Sequence, residues 1–460
     1  MRRLGYAAVD LIVERWSTLQ EGAAWIGATR DEMEARFREA PPEQGSPPLE
    51  VMERAARDVL HYAGRIDHPR FFAFVPSSPT WPTFLADVLS SGFNVFQGTW
   101  LASAGPSQIE LVVLDWFREW LGLPTTAGGV FTSGGSAANL DAVVTARASR
   151  GDPSHAILYH SDQAHSSLGR AARIAGFRSD AVRSVPTDDE YRMDLDALRH
   201  MILRDREAGL NPLIVAANGG ATNTGVVDPL RELGGLCGDE GLWFHVDAAY
   251  GGFAVLTDEG RAALDGIDLA DSVTLDPHKW LFQSYETGCL LVREASELDA
   301  AFSTNPEYLQ DTQMGRDHVN FGERGLQLSR SFRALKVWMS IQTFGLAAFR
   351  EAIRASMQLA REAERYVSGS SELELLSPAN LGVVCYRFNP AGHDLDPSGL
   401  EELNETIQRR IVSSGYAMVS STRLRGTYSL RLCVMNHTST LEDVLGTLRE
   451  VERIGRDLRR

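Results

Sequence analysis

An amine and a carboxylate stand about one strand–helix unit apart in this chain, each at the end of a short apolar run. Lys279 lies in Ser-Val-Thr-Leu-Asp-Pro-His-Lys-Trp (272–280), where a β-type stretch runs into a Pro-His-Lys turn. A lysine amine withdrawn from water is expected to have a depressed pKa and to act as a nucleophile, capturing a carbonyl group as a Schiff base. Asp247 lies in Leu-Trp-Phe-His-Val-Asp-Ala-Ala-Tyr-Gly-Gly (242–252). The residues before it read as a buried parallel strand, and the small residues after it leave room for a flat ring. A carboxylate there would keep a pyridine nitrogen protonated and make the ring a stronger electron sink. Taken singly, Lys279 reads as a solvated charge and Asp247 as a turn cap. Taken together, they point to carbonyl-cofactor chemistry.

Two further segments add to this pair. Phe-Thr-Ser-Gly-Gly-Ser-Ala-Ala-Asn (131–139) leads into a helical stretch through Ala148. Glycines let a backbone approach a phosphate, and a helix start supplies unpaired N–H groups, so Gly135 and Ser136 are the candidate phosphate contacts. The glycine spacing fits neither a nucleotide P-loop nor a dinucleotide fingerprint. Standing alone, such a turn is a helix cap. His165, in Asp-Gln-Ala-His-Ser-Ser (162–167), follows the strand-like Ile157-Leu158-Tyr159. Its imidazole is placed to stack on a ring and to offer an N–H to a substrate carboxylate. A lone loop histidine otherwise carries no role.

These four segments, in this order, resemble the pyridoxal-phosphate-dependent (group II) amino-acid decarboxylases of the aromatic L-amino-acid decarboxylase family. Glutamate and histidine decarboxylases are more distant relatives. Further landmarks are His68 to Phe74, Trp81-Pro82, Glu110, Asp115-Trp116 and Arg333 to Trp338. The likeness runs from about residue 4 to about residue 455. The Pro-His-Lys and His-Val-Asp-Ala-Ala segments are highly specific, whereas the glycine turn alone is not.

The resemblance implies roles residue by residue. Lys279 is similar to the Schiff-base lysine, Asp247 to the partner of the pyridine nitrogen, and Ala249 to the small residue under the ring. His165 is similar to the stacking histidine, Thr222 to a threonine lining the cofactor site, and His278 to a residue near the phosphate. Tyr308 resembles the catalytic-loop tyrosine that protonates the substrate carbon, on a lid within 302–325; its replacement by phenylalanine in the family goes with aldehyde formation. Phe74, Val75 and Trp100 resemble substrate-pocket positions, and apolar walls suit an aromatic amino acid. Two positions depart from the pattern. Asp276 stands where many relatives carry Asn, and Gly98 where animal relatives carry a large aromatic that narrows the pocket. The implied reaction is decarboxylation of an L-amino acid, aromatic in type, to the amine and carbon dioxide. Alternatives are an acidic amino-acid decarboxylase of the same fold, an aromatic aldehyde synthase, another enzyme of this fold such as an aminotransferase or sulfur lyase, and a non-enzymatic protein on the same fold.

Composition sets outer bounds. The chain has 460 residues, 43% hydrophobic and 23% charged, as in ordinary globular proteins. A net charge of −16 argues against nucleic acid and anionic membranes as partners. Four dispersed cysteines form no disulfide framework, and eleven histidines show no metal-ligand spacing. Cys289, Cys385 and Cys433 read as buried thiols, and a reducing cytoplasmic setting is expected. No apolar signal region follows the first residues, and no run is long enough to span a bilayer.

The elements around these residues read as α/β. Strands are expected at 156–160, 213–217, 242–247, 272–275 and 289–292, with helices at 107–121, 136–149, 166–175 and 194–206. This alternation predicts a mainly parallel sheet with helices on both faces, and ligands beyond the carboxyl ends of its strands. The resemblance implies the pyridoxal-phosphate aminotransferase-like fold with a smaller C-terminal α+β domain. The expected divisions are a helical segment (1–75, with helices at 4–20 and 49–63), a cofactor-binding domain (76–345) and a small domain (346–460). A long helix is expected over 330–370, strands at 381–388 and 428–435, and helices at 398–413 and 440–457. The first helix is expected to pack on a second copy in a homodimer with its sites at the interface.

Overall fold

The computed structural model describes residues 1–76, 78–150, 155–304, 307–312, 314–315, 318–392 and 395–460. The chain divides into two compact units, one of 77–361 with 377–384, the other of 1–76 with 362–376 and 385–460.

The larger unit is built on seven strands: β1 Gly128–Thr132, β2 Ala156–Ser161, β3 Val182–Val185, β4 Asn211–Asn218, β5 Trp243–Asp247, β6 Ser272–Leu275 and β7 Gly288–Val292. Their order across the sheet is β1-β7-β6-β5-β4-β2-β3. Strands β3, β2, β4, β5 and β6 are mutually parallel, and β7 runs antiparallel to both β6 and β1. The carboxyl ends of all strands but β7 therefore lie along one edge. Central parallel strands are covered on both faces, which explains their continuous apolar runs. Strands β5, β6 and β7 are buried throughout, and so is β4 after Asn211. Phe244 and Val246 are 1% and 0% exposed, and burying side chains of this size contributes about 1.5–3 kcal/mol each.

The helices cover this sheet with one apolar stripe each. In Leu195–Glu207 the buried residues Leu198, Ile202 and Asp205 recur at helical spacing, and the Asp194 carboxylate caps the start by accepting from Asp196 and Ala197 N–H. The helix Gly135–Arg150 starts two residues after β1. The expected 330–370 helix is observed as Ala334–Gly369, interrupted at Gly345, whose φ of 71° lies in the left-handed region.

A second sheet, whose residues 373–376, 385–388 and 420–433 belong to the other unit, is made of β8 Leu373–Asn380, β9 Val383–Phe388, β10 Ser420–Leu424 and β11 Thr427–Cys433, in the order β10-β11-β9-β8. Helices Pro397–Ser413 and Leu441–Leu458 pack together, the second opened by a capping box of Thr440 and Asp443. The first helix, Arg2–Ser17, has no buried residue.

Candidate active site

The edge formed by the carboxyl ends of β1, β2, β4, β5 and β6 holds a cavity of about 330 Å³. Its lining includes Gly135, Ser136, His165, Thr222, Asp247, Ala249, His278 and Lys279. Eight positions singled out in the sequence thus come from five separate segments to one place, all within the larger unit. Parallel sheets leave such a crevice beyond their strand ends.

Asp247 ends β5, in register with Asn218 of β4 and Thr274 of β6. Both of its oxygens are engaged. Oδ1 accepts from Ala249 N–H at 3.2 Å, and Oδ2 accepts from Asn139 Nδ2 at 2.8 Å. Asn139 is itself buried (1% exposed) and links four groups. Its amide nitrogen also donates to Ser167 Oγ at 2.8 Å, while its oxygen accepts from Thr274 Oγ1 at 2.7 Å and contacts His245 Nε2 at 3.1 Å.

The proton positions follow from this chain of contacts. Trp243 Nε1–H donates to Ser272 Oγ, so Ser272 O–H points to His245 Nδ1, 2.8 Å away. Burial pushes the His245 imidazole down to about 4, with Asp247 opposing; the neutral ring then carries its proton on Nε2 and gives it to Asn139. On the far side, Ser167 Oγ accepts from Asn139, so its O–H points to His165 Nδ1 at 2.8 Å. Ser167 N–H also donates to His165 Nδ1, which makes His165 the N-cap of Ser166–Ile174. His165 Nδ1 is thereby an acceptor, and its ring proton is directed to Nε2.

The opposite wall carries charge. Asp276, 2% exposed, places Oδ2 2.9 Å from Lys279 Nζ and 3.6 Å from His278 Nε2. The Lys279 amine does not have the depressed pKa expected from the sequence. Burial is the largest single influence and pushes it down, but the Asp276 carboxylate, through its charge and its hydrogen bond, together with Asp247 and Tyr285 makes the net direction upward. His278 is pushed down by burial, accepts from Thr287 N–H at 3.3 Å, and lies 4.7 Å from the Tyr285 ring. Tyr285 also lines the cavity. Its segment is held by Lys336, which donates to the carbonyls of Ser284 and Tyr285 and pairs with Asp87 at 3.1 Å. Lys279 and Lys336 are the only lysines in the chain.

The strand feeding the glycine turn is anchored from behind. Arg330 and Glu110, 2% and 0% exposed at their side chains, form a buried pair at 2.6 Å. Glu110 Oε1 also accepts from Phe131 N–H, and Arg330 donates to the carbonyls of Phe131 and Gln97.

The remaining predicted positions lie elsewhere. Tyr308 falls in the turn Glu307–Thr312, and its side chain lies outside the described residues, as do parts of the 302–325 segment. Trp100 does not line the cavity; its N–H donates to Asn320 Oδ1 at 2.9 Å and its ring meets His318 at 5.2 Å. Phe74 and Val75 belong to the smaller unit, where Phe74 is 62% exposed and its carbonyl accepts from Arg431. Gly98 leaves no open space, because a Cβ there would meet Phe96 Cζ at 2.4 Å and the Leu328 carbonyl oxygen at 2.5 Å. Asn139, Ser167, Tyr285 and Lys336 were missed as site residues. Asn139 and Ser167 fall inside quoted motifs, but nothing local marks them as partners.

The donor set fits pyridoxal phosphate. An amine suited to an aldehyde, a buried carboxylate suited to a pyridinium N–H, and the first turn of a 16-residue helix suited to a phosphate share one cavity. The cradle is tight, since a Cβ on Gly135 would lie 3.0 Å from both Ala249 Cβ and Asp276 Oδ2.

Comparison with known proteins agrees with this fit. Residues 31–389 match the pyridoxal-dependent decarboxylase conserved domain. The chain is 41% identical to an aromatic-L-amino-acid decarboxylase of Bacillus atrophaeus, over 100% of this chain and 96% of that one. It is 30% identical to a phenylacetaldehyde synthase of Petunia hybrida, over 94% and 90%. The crystal structure of Oryza sativa TDC with PLP and tryptamine superposes with a TM-score of 0.94 at 29% identity, covering 99% of this chain and 98% of that one. The chain belongs to the pyridoxal-dependent decarboxylase family, as a carboxy-lyase whose cofactor is pyridoxal phosphate.

Proposed function

We propose that this decarboxylase acts on an aromatic L-amino acid, releasing carbon dioxide and the corresponding amine. The observation that carries the reading is the convergence of Lys279, Asp247 and His165 from three strand ends on one cavity. The aromatic preference is supported by the Bacillus atrophaeus relative. Among the described residues, the cavity lining includes no arginine that would pair with an acidic side chain.

In this reading Lys279 is the covalent anchor, and Gly135 and Ser136 at the helix start bind the phosphate with His278 beside them. Ala249 and Thr222, which line the cavity, would bound the space for the cofactor ring. Bound pyridoxal phosphate supplies an electron sink for the pair left on Cα when carbon dioxide departs. Asp247, fixed by Asn139 and Ala249 N–H, holds the proton on the pyridine nitrogen. His165 would lie over that ring, with its Nε2–H available to the substrate carboxylate. Tyr308, whose side chain lies outside the described residues, would return a proton to Cα.

The working form is proposed to be a homodimer in the cytoplasm. Large apolar side chains stand exposed on each unit, among them Phe93 (80%) and Leu326 (72%) on the larger and Phe74 on the smaller. Among the described residues no helix is long and apolar enough to cross a membrane.

The test is product analysis with tryptophan, tyrosine, phenylalanine and glutamate supplied singly. Release of carbon dioxide and amine from an aromatic substrate is expected, and Lys279→Ala should abolish it by at least about 10³-fold. Turnover of glutamate alone would refute the aromatic reading. The Petunia relative favours a second reading, aldehyde synthesis. Tyr308 argues for amine release, and Tyr308→Phe should divert product to aldehyde and ammonia.

A further inference from the structure

Among the described residues that line the cavity, Asp276 has a buried oxygen left over. Oδ2 faces Lys279 Nζ at 2.9 Å, whereas Oδ1 is buried with no hydrogen-bond partner among the described residues. A buried carboxylate normally fills both oxygens, so the vacant one leaves capacity for a proton. The groups facing this pair are His278 at 3.6 Å from Oδ2, Asp247 and Tyr285 toward Lys279, and Lys336 behind His278. Asp276 is the group in contact with the amine, and its influence on Lys279 exceeds that of Asp247 and Tyr285.

An ammonium has no lone pair and does not add to an aldehyde. The amine that must carry the cofactor is nevertheless held toward its charged form by its neighbour. We infer that Asp276 is a proton latch on Lys279: it keeps the amine protonated while the cavity is open, and accepts that proton when an aldehyde arrives. This rests on the proposed role of Lys279 as the cofactor anchor. The step balances. One proton passes from Nζ to an Asp276 oxygen, and the freed lone pair forms a bond to the aldehyde carbon. The two protons left on nitrogen depart with the carbonyl oxygen as water, leaving a carbon–nitrogen double bond. The proton on Asp276 then passes to the linked nitrogen and restores the ion pair. Asp276 thus acts as a positioning and proton-holding residue that governs how fast the chain takes up its cofactor.

The presence of only two lysines makes the test direct. The full-length chain, freed of cofactor, is treated at pH 8 with pyridoxal or with pyridoxal phosphate and borohydride, and adducts at Lys279 and Lys336 are counted by peptide mass mapping. Asp276→Asn should accelerate labelling of Lys279 about tenfold or more, by the same factor with both aldehydes, and leave Lys336 unchanged. An unchanged or slower rate at Lys279 overturns the latch. So does acceleration confined to pyridoxal phosphate, because Asp276 would then act by repelling the phosphate. Absence of any Lys279 adduct in either protein overturns the anchor role itself, and the latch with it. The wild type gives an answer even if the variant does not fold. Its labelling rate should stay nearly level between about pH 7 and pH 9, because transfer within the ion pair releases no proton to water, and a rate that climbs about tenfold per pH unit, as for an amine deprotonated by solvent alone, overturns the proposal.

Discussion

Two ion pairs in the larger unit show what satisfaction of buried charge means. Between Arg330 and Glu110, both carboxylate oxygens and both terminal guanidinium nitrogens are bonded, and the spare capacity reaches the Phe131 and Gln97 backbone. Between Lys279 and Asp276 one oxygen has no partner and the amine opens on a cavity. The first arrangement has nothing left to offer a ligand and holds β1 in place. The second is incomplete in a way that a reacting group can complete. Burial of charge is common to both, so completeness of hydrogen bonding is the feature that separates scaffold from chemistry.

The comparison breaks most readily at its satisfied end. Glu110→Gln leaves Arg330 buried without a counter-charge, and the expected loss is about 3–5 kcal/mol in urea unfolding. A loss under about 1 kcal/mol would mean that the pair is not structural. Asn139→Ala tests an intermediate case, a neutral hub whose partners include a working carboxylate. Removing one hydrogen bond to a charged group costs about 1.5–3 kcal/mol, which corresponds to a roughly 10- to 150-fold fall in kcat/KM. The circular dichroism spectrum should stay unchanged, and an unaltered kcat/KM would show that Asp247 holds its position without the hub.

Asp141 sharpens the contrast further, as a buried carboxyl with no cation bonded to it among the described residues. It is 4% exposed, and burial pushes it up to about 7, against the opposing pull of Leu326 N–H and Arg330. A carboxyl raised in the fold keeps its proton there while the unfolded chain has lost it. Stability therefore falls as pH rises from about 4 to about 7, by roughly 2 kcal/mol between pH 5 and pH 7. Asp141→Asn should flatten that slope in unfolding curves taken at the two pH values. An identical slope in the variant would assign the dependence to another group.

The site was legible where chemistry and local pattern coincide. Lys279, Asp247, His165 and Gly135 each stand at the end of a strand-like run, and a strand end is what a single stretch of sequence reveals. Asn139 was quoted only as the end of a motif, because its importance comes from Ser167, Thr274, His245 and Asp247 meeting it in space. Lys336 reads as one member of a landmark, yet its backbone contacts are to residues 51 and 52 positions away. The five expected strands of the large sheet are present, but β1 and β3 went unread. Two glycines dilute the apolar signal of β1, which is completed by pairing with β7. Four residues, three of them not fully buried, are too few for β3 to show a period. The Lys279 amine teaches a different limit. Burial was read correctly, but the direction of its proton affinity depended on a carboxylate whose side-chain orientation no sequence prints.

The lysine count has a practical consequence. Lys336 is 5% exposed and the Lys279 side chain 19%, while the other 43 basic residues are arginines. The outer face thus presents its basic side chains almost wholly as guanidinium, which activated esters do not acylate. An activated-ester dye would therefore meet no exposed lysine side chain on the folded chain, so acylated lysine would report unfolding or entry into the cavity.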